Sequence, residues 1–131
     1  MISKVRNAIR ISGIVSAGVA AVLSPIPLAD EIMMLPILTA LTLRIGSAHE
    51  LPLGEIPWKP VGVAAAKALG ARAVGNLAVA GFPGVALIAN AVSAYALSGY
   101  VGREADRLCL RRKAELSPIA HASAASPAVP A

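Results

Sequence analysis

Two adjacent acids, Asp30 and Glu31, are the residues of this chain whose type and position are best suited to chemistry. They are the only charges within residues 11–43, a strongly apolar stretch. Such a pair marks either a turn that reaches water or a partner, or a polar site held inside the protein. The simplest interpretation is that the pair begins a helix. Carboxylates there are stabilised by the free backbone amides of the first turn and by the positive end of the helix dipole. We call the following four residues the elbow and expect it to be a helix turn and a possible docking face: Pro25, Pro27, Asp30 and Glu31.

Other candidates for catalysis or ligand binding are incomplete. Gly70–Gly75 has the spacing of a phosphate-binding loop, but Asn76–Leu77 stands where such a loop needs lysine and Ser/Thr. His49 and Glu50 form a histidine–carboxylate pair without the further ligands of a metal site. Cys109 is the only cysteine, which excludes an intramolecular disulfide and leaves a plain helix residue or a palmitoylation site. We therefore expect no enzyme, no cofactor and no metal.

The composition points to a membrane environment. Hydrophobic residues make up 56% of the 131 residues and aromatic residues only 3%, whereas ordinary soluble domains are about 45–50% apolar. The apolar content is therefore mainly Ala, Val, Leu, Ile and Gly, which lets helix backbones approach closely. Membrane association is the first hypothesis from composition.

The net charge of +5 comes from basic clusters near both ends of the chain. Basic residues that flank apolar helices commonly face anionic lipid headgroups. No aromatic stacking platform accompanies them, so nucleic acid is not expected as a partner. Trp58 is interpreted either as an interfacial anchor or as a cover for the end of a helix bundle. The residues expected at lipid headgroups are Lys4, Arg6, Arg10, Trp58, Lys59, Arg103, Arg107, Arg111, Arg112 and Lys113.

Prolines and glycines divide the chain into four predicted helices, because proline lacks an amide donor and restricts the residue before it. Pro36 is expected to kink the second helix without ending it, and residues 49–60 are predicted to form a loop. The predicted helices are about 2–23, 27–47, 61–79 and 83–116. This pattern predicts an all-α fold with about four helices in two hairpins. We assign residues 1–116 to a helical membrane-associated domain and residues 117–131, rich in Ala, Pro and Ser, to a disordered tail.

Stripes of small and weakly polar residues predict where the helices pack. The expected packing residues are Ser12, Ser16, Ala86, Asn90, Ala94 and Ser98. Lys67 and Arg72 interrupt the third helix, and we expect their charged groups to reach outward to water.

The lengths of the apolar runs leave the number of membrane crossings open. The uncharged runs at 11–23 and 32–43 each cover roughly 18–20 Å as helices, less than the hydrocarbon core of about 30 Å. A full crossing by the first helix requires its basic first turns to lie at the interface.

The elbow also carries a family resemblance. The run Pro25–Asp30 followed by an apolar helix, and later Gly81–Ala86 with Asn90–Ala91 and Tyr95–Ala96, resembles the pattern of the domain-of-unknown-function family 697. The resemblance spans roughly 11–106, and Leu28 stands where that family commonly has glycine. It implies a bacterial, helical, membrane-associated protein with a small GTPase as a partner, and it supplies no catalytic residues.

These observations together predict a small bacterial membrane-associated anchor or interaction protein. The expected location is the inner membrane with cytoplasmic termini, and the expected partners are anionic lipids, further copies of the chain and a GTPase or other cytoplasmic protein. The alternative is a soluble helical bundle that self-assembles in a structural role. A third hypothesis is a pore-forming or holin-like peptide.

Overall fold

Helices account for nearly all of the regular structure. The computed structural model describes the backbone of residues 1–23 and 29–124, and side chains as far as residue 117. Its elements are α1 (Ile2–Leu23), α2 (Ala29–Ala48), a 3-10 turn (Leu53–Glu55), α3 (Trp58–Val79) and α4 (Pro83–Ala124). The all-α fold with four helices is confirmed.

Most helix ends lie close to where proline and glycine predict them. α4 begins at Pro83 after the break at residues 81–82, and α2 continues through Pro36. α3 begins earlier than expected, at Trp58, and α4 continues to Ala124, beyond the predicted end near Leu116. The predicted tail past Ala124 lies outside the described residues, as do Pro25 and Pro27 of the elbow.

The longest helix organises the bundle. α4 packs against all three other helices, most extensively against α1, while α2 and α3 touch each other only briefly. The first half of α1 faces the second half of α2, and only a short break separates α3 from α4, which pack along each other. α1 with α2 and α3 with α4 therefore form the two expected antiparallel hairpins. The core at the centre contains Met34, Leu41, Ile45 and Val101, all of them fully buried.

Small residues bring α1 and α4 close together. The Ser16 and Ser98 hydroxyls lie 2.6 Å apart and share a buried hydrogen bond. Gly102 faces Ile9, where an added Cβ would lie 2.6 Å from the isoleucine Cγ1, so this contact requires glycine. Of the residues expected in packing stripes, Ala86 is half-buried and the others are buried: Ser12, Ser16, Asn90, Ala94 and Ser98.

The antiparallel order separates the molecule into two ends of different chemistry. We define the apolar end as residues 11–23, 29–43 and 68–102, and the charged end as the remaining described residues up to 117. The apolar end contains three charged side chains, Asp30, Glu31 and Arg72. All other charges of the described chain lie at the charged end.

Candidate functional site

The three charges of the apolar end meet inside the bundle. Arg72 of α3 donates one hydrogen bond from Nη2 to Asp30 Oδ2 at 2.7 Å and another from Nη1 to Glu31 Oε1 at 2.9 Å. Asp30 is 3% exposed and Arg72 is 6% exposed. The first turn of α2 is thus fixed to the middle of α3, although these helices otherwise have little contact.

Neutral groups complete this network. Arg72 Nε donates to Ser93 Oγ at 3.1 Å, and Nη2 also approaches the Asn90 carbonyl oxygen at 3.3 Å. Asn76 donates from Nδ2 to Glu31 Oε1 at 2.9 Å. We call Asp30, Glu31, Arg72, Asn76 and Ser93 the ion network. It joins three helices, α2, α3 and α4, at one level of the bundle.

Burial makes the ion network expensive to break. A buried charge that loses its partner typically costs about 3–5 kcal/mol, because it has given up its hydration and no longer has a counter-charge. Here one guanidinium serves two carboxylates, so Arg72 is the residue on which the other charges depend. The arrangement stabilises a particular docking of helices, and it contains no nucleophile–base pair.

The expectation that Arg72 reaches outward is wrong. Its guanidinium points into the bundle because two carboxylates and the Asn90 carbonyl oxygen lie within hydrogen-bonding distance there. Lys67 is exposed, as expected. A sequence signal for the pairing exists, since Arg72 is the only cation in the apolar end and Asp30 and Glu31 are its only anions.

The elbow combines the two interpretations that the sequence left open. Asp30 and Glu31 lie in the first turn of α2, and Asp30 Oδ1 accepts a hydrogen bond from the Glu31 backbone amide at 3.1 Å. They are therefore both helix-start acids and members of a polar site held inside. Asp30 in particular is too deeply buried to meet a partner protein directly.

At the charged end, the segment between α2 and α3 is held against α4 by a second set of contacts. His49 is 2% exposed, and its Nε2 lies 2.6 Å from Asp106 Oδ1. Its other ring nitrogen, Nδ1, is buried without a hydrogen-bond partner among the described residues. Two more exposed pairs follow along α4, Glu55 with Arg112 at 2.5 Å and Glu50 with Lys113 at 3.4 Å.

The residues expected at lipid headgroups all lie at the charged end. Arg112 and Lys113 are half-buried and engaged in the ion pairs just described. Trp58 opens α3 and donates from Nε1 to the Leu53 carbonyl oxygen at 3.0 Å, with 39% of its surface exposed. The others are exposed: Lys4, Arg6, Arg10, Lys59, Arg103, Arg107 and Arg111.

The weaker motifs lie on separate helices. Gly70–Gly75 lies wholly inside α3, where its amides belong to a helix and not to a phosphate-binding loop. Cys109 is buried on α4. Within the part of the chain that the structure describes, no three His, Cys, Asp or Glu side chains are grouped to hold a metal ion.

Three of the described helices are long and apolar enough to cross a membrane: Ile2–Leu23, Ala29–Ala48 and the Pro83–Ser117 part of α4. α1 has 22 residues and α2 has 20, which correspond to about 33 and 30 Å. Both helices are longer than the uncharged runs at 11–23 and 32–43, because each helix also includes charged residues beyond its uncharged run. Membrane association is therefore compatible with the length and composition of these helices.

Comparison with protein-family models, curated proteins and solved structures finds no match for this chain.

Proposed function

We propose that this protein is a small membrane-associated helical anchor or interaction protein, with its apolar end in the hydrocarbon layer and its charged end at the headgroups. The proposal rests on the separation of the molecule into an apolar end and a charged end. Charged residues near the ends of apolar helices commonly mark the membrane–water boundary, and here they come together at one end of the folded bundle.

Exposed apolar side chains at the apolar end support this proposal. Contiguous apolar surface on a soluble monomer is usually small, and larger areas mark a lipid or protein contact. Large side chains at least half exposed occur on every helix of this end and in the break before α4: Ile14, Val22, Ile32, Leu35, Val74, Leu77, Phe82, Val85, Ile88 and Val92.

The ion network makes such an insertion physically acceptable. A lone charge in the bilayer centre is costly, and intramembrane charges accordingly pair with each other inside a bundle. Asp30, Glu31 and Arg72 bond to one another and to neighbouring polar groups, which reduces this cost to that of one negative charge in excess, held by hydrogen bonds inside the bundle. Their side chains are turned away from the surface that lipid would contact.

Several finer features belong to the same proposal. The basic residues at both ends of the chain favour cytoplasmic termini in a bacterial inner membrane. A GTPase or other cytoplasmic partner would dock on the exposed face of the 103–113 extension of α4, because Asp30 is occupied within the bundle. Arg103, Arg107 and Arg111 are exposed there.

Depth-dependent fluorescence quenching tests the orientation. In a Trp58→Phe background, a single tryptophan replaces Ile88 at the apolar end or Leu110 at the charged end, both of them exposed. We expect brominated acyl chains in phosphatidylglycerol vesicles to quench the tryptophan at position 88 strongly and that at position 110 weakly. Equal quenching at both positions, or failure of the wild type to float with the vesicles, would overturn the proposal.

The second candidate is a soluble bundle that assembles with copies of itself. The outer face of α3 favours it, because α3 packs mainly on α4 and leaves Val63, Val74 and Leu77 exposed. Light scattering after size exclusion in detergent-free buffer distinguishes the candidates. A defined soluble oligomer that ignores anionic vesicles supports self-assembly, whereas recovery only with detergent supports the membrane anchor.

A further inference from the structure

A groove with a volume of about 950 Å³ lies between the first half of α1 and the second half of α2. The segment after α2 closes one side, where Leu51 and Ile56 line it together with Ala8 of α1. All three of these side chains are buried. The volume is in the range that holds a small organic ligand, and the floor is apolar.

Unpaired cations stand at the edge of this groove. Lys4 of α1 and Arg44 of α2 both line it and are exposed, and neither has an acidic partner among the described residues. Asn7 and Ser47 add hydrogen-bonding groups. Glu50, the one acid of the lining, lies 3.4 Å from Lys113 and is partly compensated by it. The edge therefore favours an anion.

The groove crosses the boundary between the two ends of the molecule. Ile11 and Leu43, at the border of the apolar end, line it together with Lys4 and Arg44 of the charged end. A ligand that fills it must present an anionic group on one side and hydrocarbon on the other. An anionic phospholipid has this composition.

We propose that the groove binds one anionic phospholipid, with its phosphate between Lys4 and Arg44 and the upper part of an acyl chain on the floor beside Ile11. Charge complementarity and the position of the groove carry this inference. It rests on the proposed membrane association and makes it specific, because it assigns a defined lipid site in addition to general attraction by basic residues. Arg44 is thereby assigned a binding role that the sequence pattern did not indicate.

The test compares two exposed cations that make no ion pair among the described residues, Arg44 in the groove and Lys67 outside it. Native mass spectrometry from neutral detergent micelles measures retention of added dioleoyl-phosphatidylglycerol. We expect wild type and Lys67→Gln to retain one lipid, and Arg44→Gln to bind it about tenfold more weakly, as expected for loss of one charge-assisted contact. Equal loss in both variants would show general electrostatic attraction and overturn the site.

A second variant blocks the groove without changing charge. Ser47→Phe adds a ring to an exposed groove residue, and Ala114→Phe adds the same ring to an exposed position on α4. We expect only the first to lose the bound lipid while helical circular dichroism stays unchanged in both. Retention of the lipid by a folded Ser47→Phe would place it elsewhere.

Competing ligands identify the source of the anion. Phosphatidylcholine and glycerol phosphate are added separately to the phosphatidylglycerol complex. Neither should displace the lipid, because the first lacks net negative charge and the second lacks hydrocarbon. Displacement by phosphatidylcholine overturns the requirement for an anionic lipid, and displacement by glycerol phosphate overturns the assignment to a lipid. Vesicle flotation separates this proposal from the function on which it rests. Flotation without a retained lipid defeats the groove alone, and a retained lipid without flotation defeats the membrane function alone.

Discussion

The ion network of the apolar end and the ion pairs of the charged end use the same residue types in opposite surroundings. Arg72 of α3 is 6% exposed and holds two carboxylates of α2. Arg112 also holds two, Glu55 and Glu115, but its side chain is 40% exposed and remains hydrated. How much an arginine contributes to the fold therefore depends on its surroundings and not on the number of its contacts.

The largest expected effect is loss of the buried arginine. Arg72→Met should lower the free energy of unfolding by about 3–5 kcal/mol, because it leaves Asp30 and Glu31 buried without a counter-charge. Denaturant titration followed by circular dichroism, in the medium where the wild type is folded, gives this value. Arg111→Met, at an exposed position without an ion pair among the described residues, is the matched control.

A triple change sharpens this first prediction. Asp30→Asn and Glu31→Gln together with Arg72→Met should recover much of the lost stability, because no unpaired charge then remains inside. If the triple variant is as unstable as Arg72→Met alone, packing and not charge pairing explains the loss.

The second prediction tests whether the burial of a polar pair, and not the end of the molecule at which it lies, determines how much its loss destabilises the fold. His49 lies at the charged end but is buried, and Asp106 is its hydrogen-bond partner. Asp106→Ala should lower the free energy of unfolding by about 1–3 kcal/mol, the usual cost of leaving a buried polar group unsatisfied. Thermal unfolding of Asp106→Ala beside Glu104→Ala measures it, since Glu104 makes only a long 3.7 Å pair with exposed Arg107. Similar losses in both would refute the role of burial.

The third prediction concerns the close contact between α1 and α4 at Gly102 and Ile9. Gly102→Ala should lower the free energy of unfolding by about 1 kcal/mol, because the added Cβ meets Ile9 and overpacking outweighs the gain in helix propensity. Gly18 has no neighbouring atom within 4 Å, so Gly18→Ala should raise stability by up to about 1 kcal/mol. Denaturation midpoints of both variants provide the check, and a stabilised Gly102→Ala would contradict the close contact.

The smallest effect on stability is expected at the exposed ion pair between Glu55 and Arg112. Glu55→Gln should leave the unfolding midpoint unchanged, since an ion pair in water gains little over its hydrated partners. Measurements at low and high salt test this directly. A clear loss at low salt would mean that the pair between Glu55 and Arg112 holds the segment after α2 more firmly than its exposure indicates.

Much of the fold was predictable because its signals are local. Pro83 begins α4 at the predicted residue, and Pro36 leaves α2 continuous, since proline acts on its own turn of the helix. The beginning of α3 was less predictable. Trp58 starts the helix before Pro60, which is tolerated because proline in a first turn removes no helical hydrogen bond.

The ion network was predictable only in part. The sequence showed that Asp30 and Glu31 begin a helix and that Arg72 interrupts an apolar one, but it placed the arginine in water. The pairing depends on how α2 and α3 are arranged around α4, and these residues are more than forty positions apart. The Arg44 groove was missed for the same reason, since its two cations come from different helices.

Short-range propensity and hydropathy are sufficient to predict four helices, the break before Pro83 and the apolar composition that makes three of the helices candidate membrane spans. Which charges are buried together and which face outward depends on how the helices pack. Antiparallel packing places the charge-poor halves of all four helices at one end, and burial there makes pairing with Arg72 the favourable state for Asp30 and Glu31. Burial and pairing depend on contacts between distant segments, which no local pattern of residues specifies.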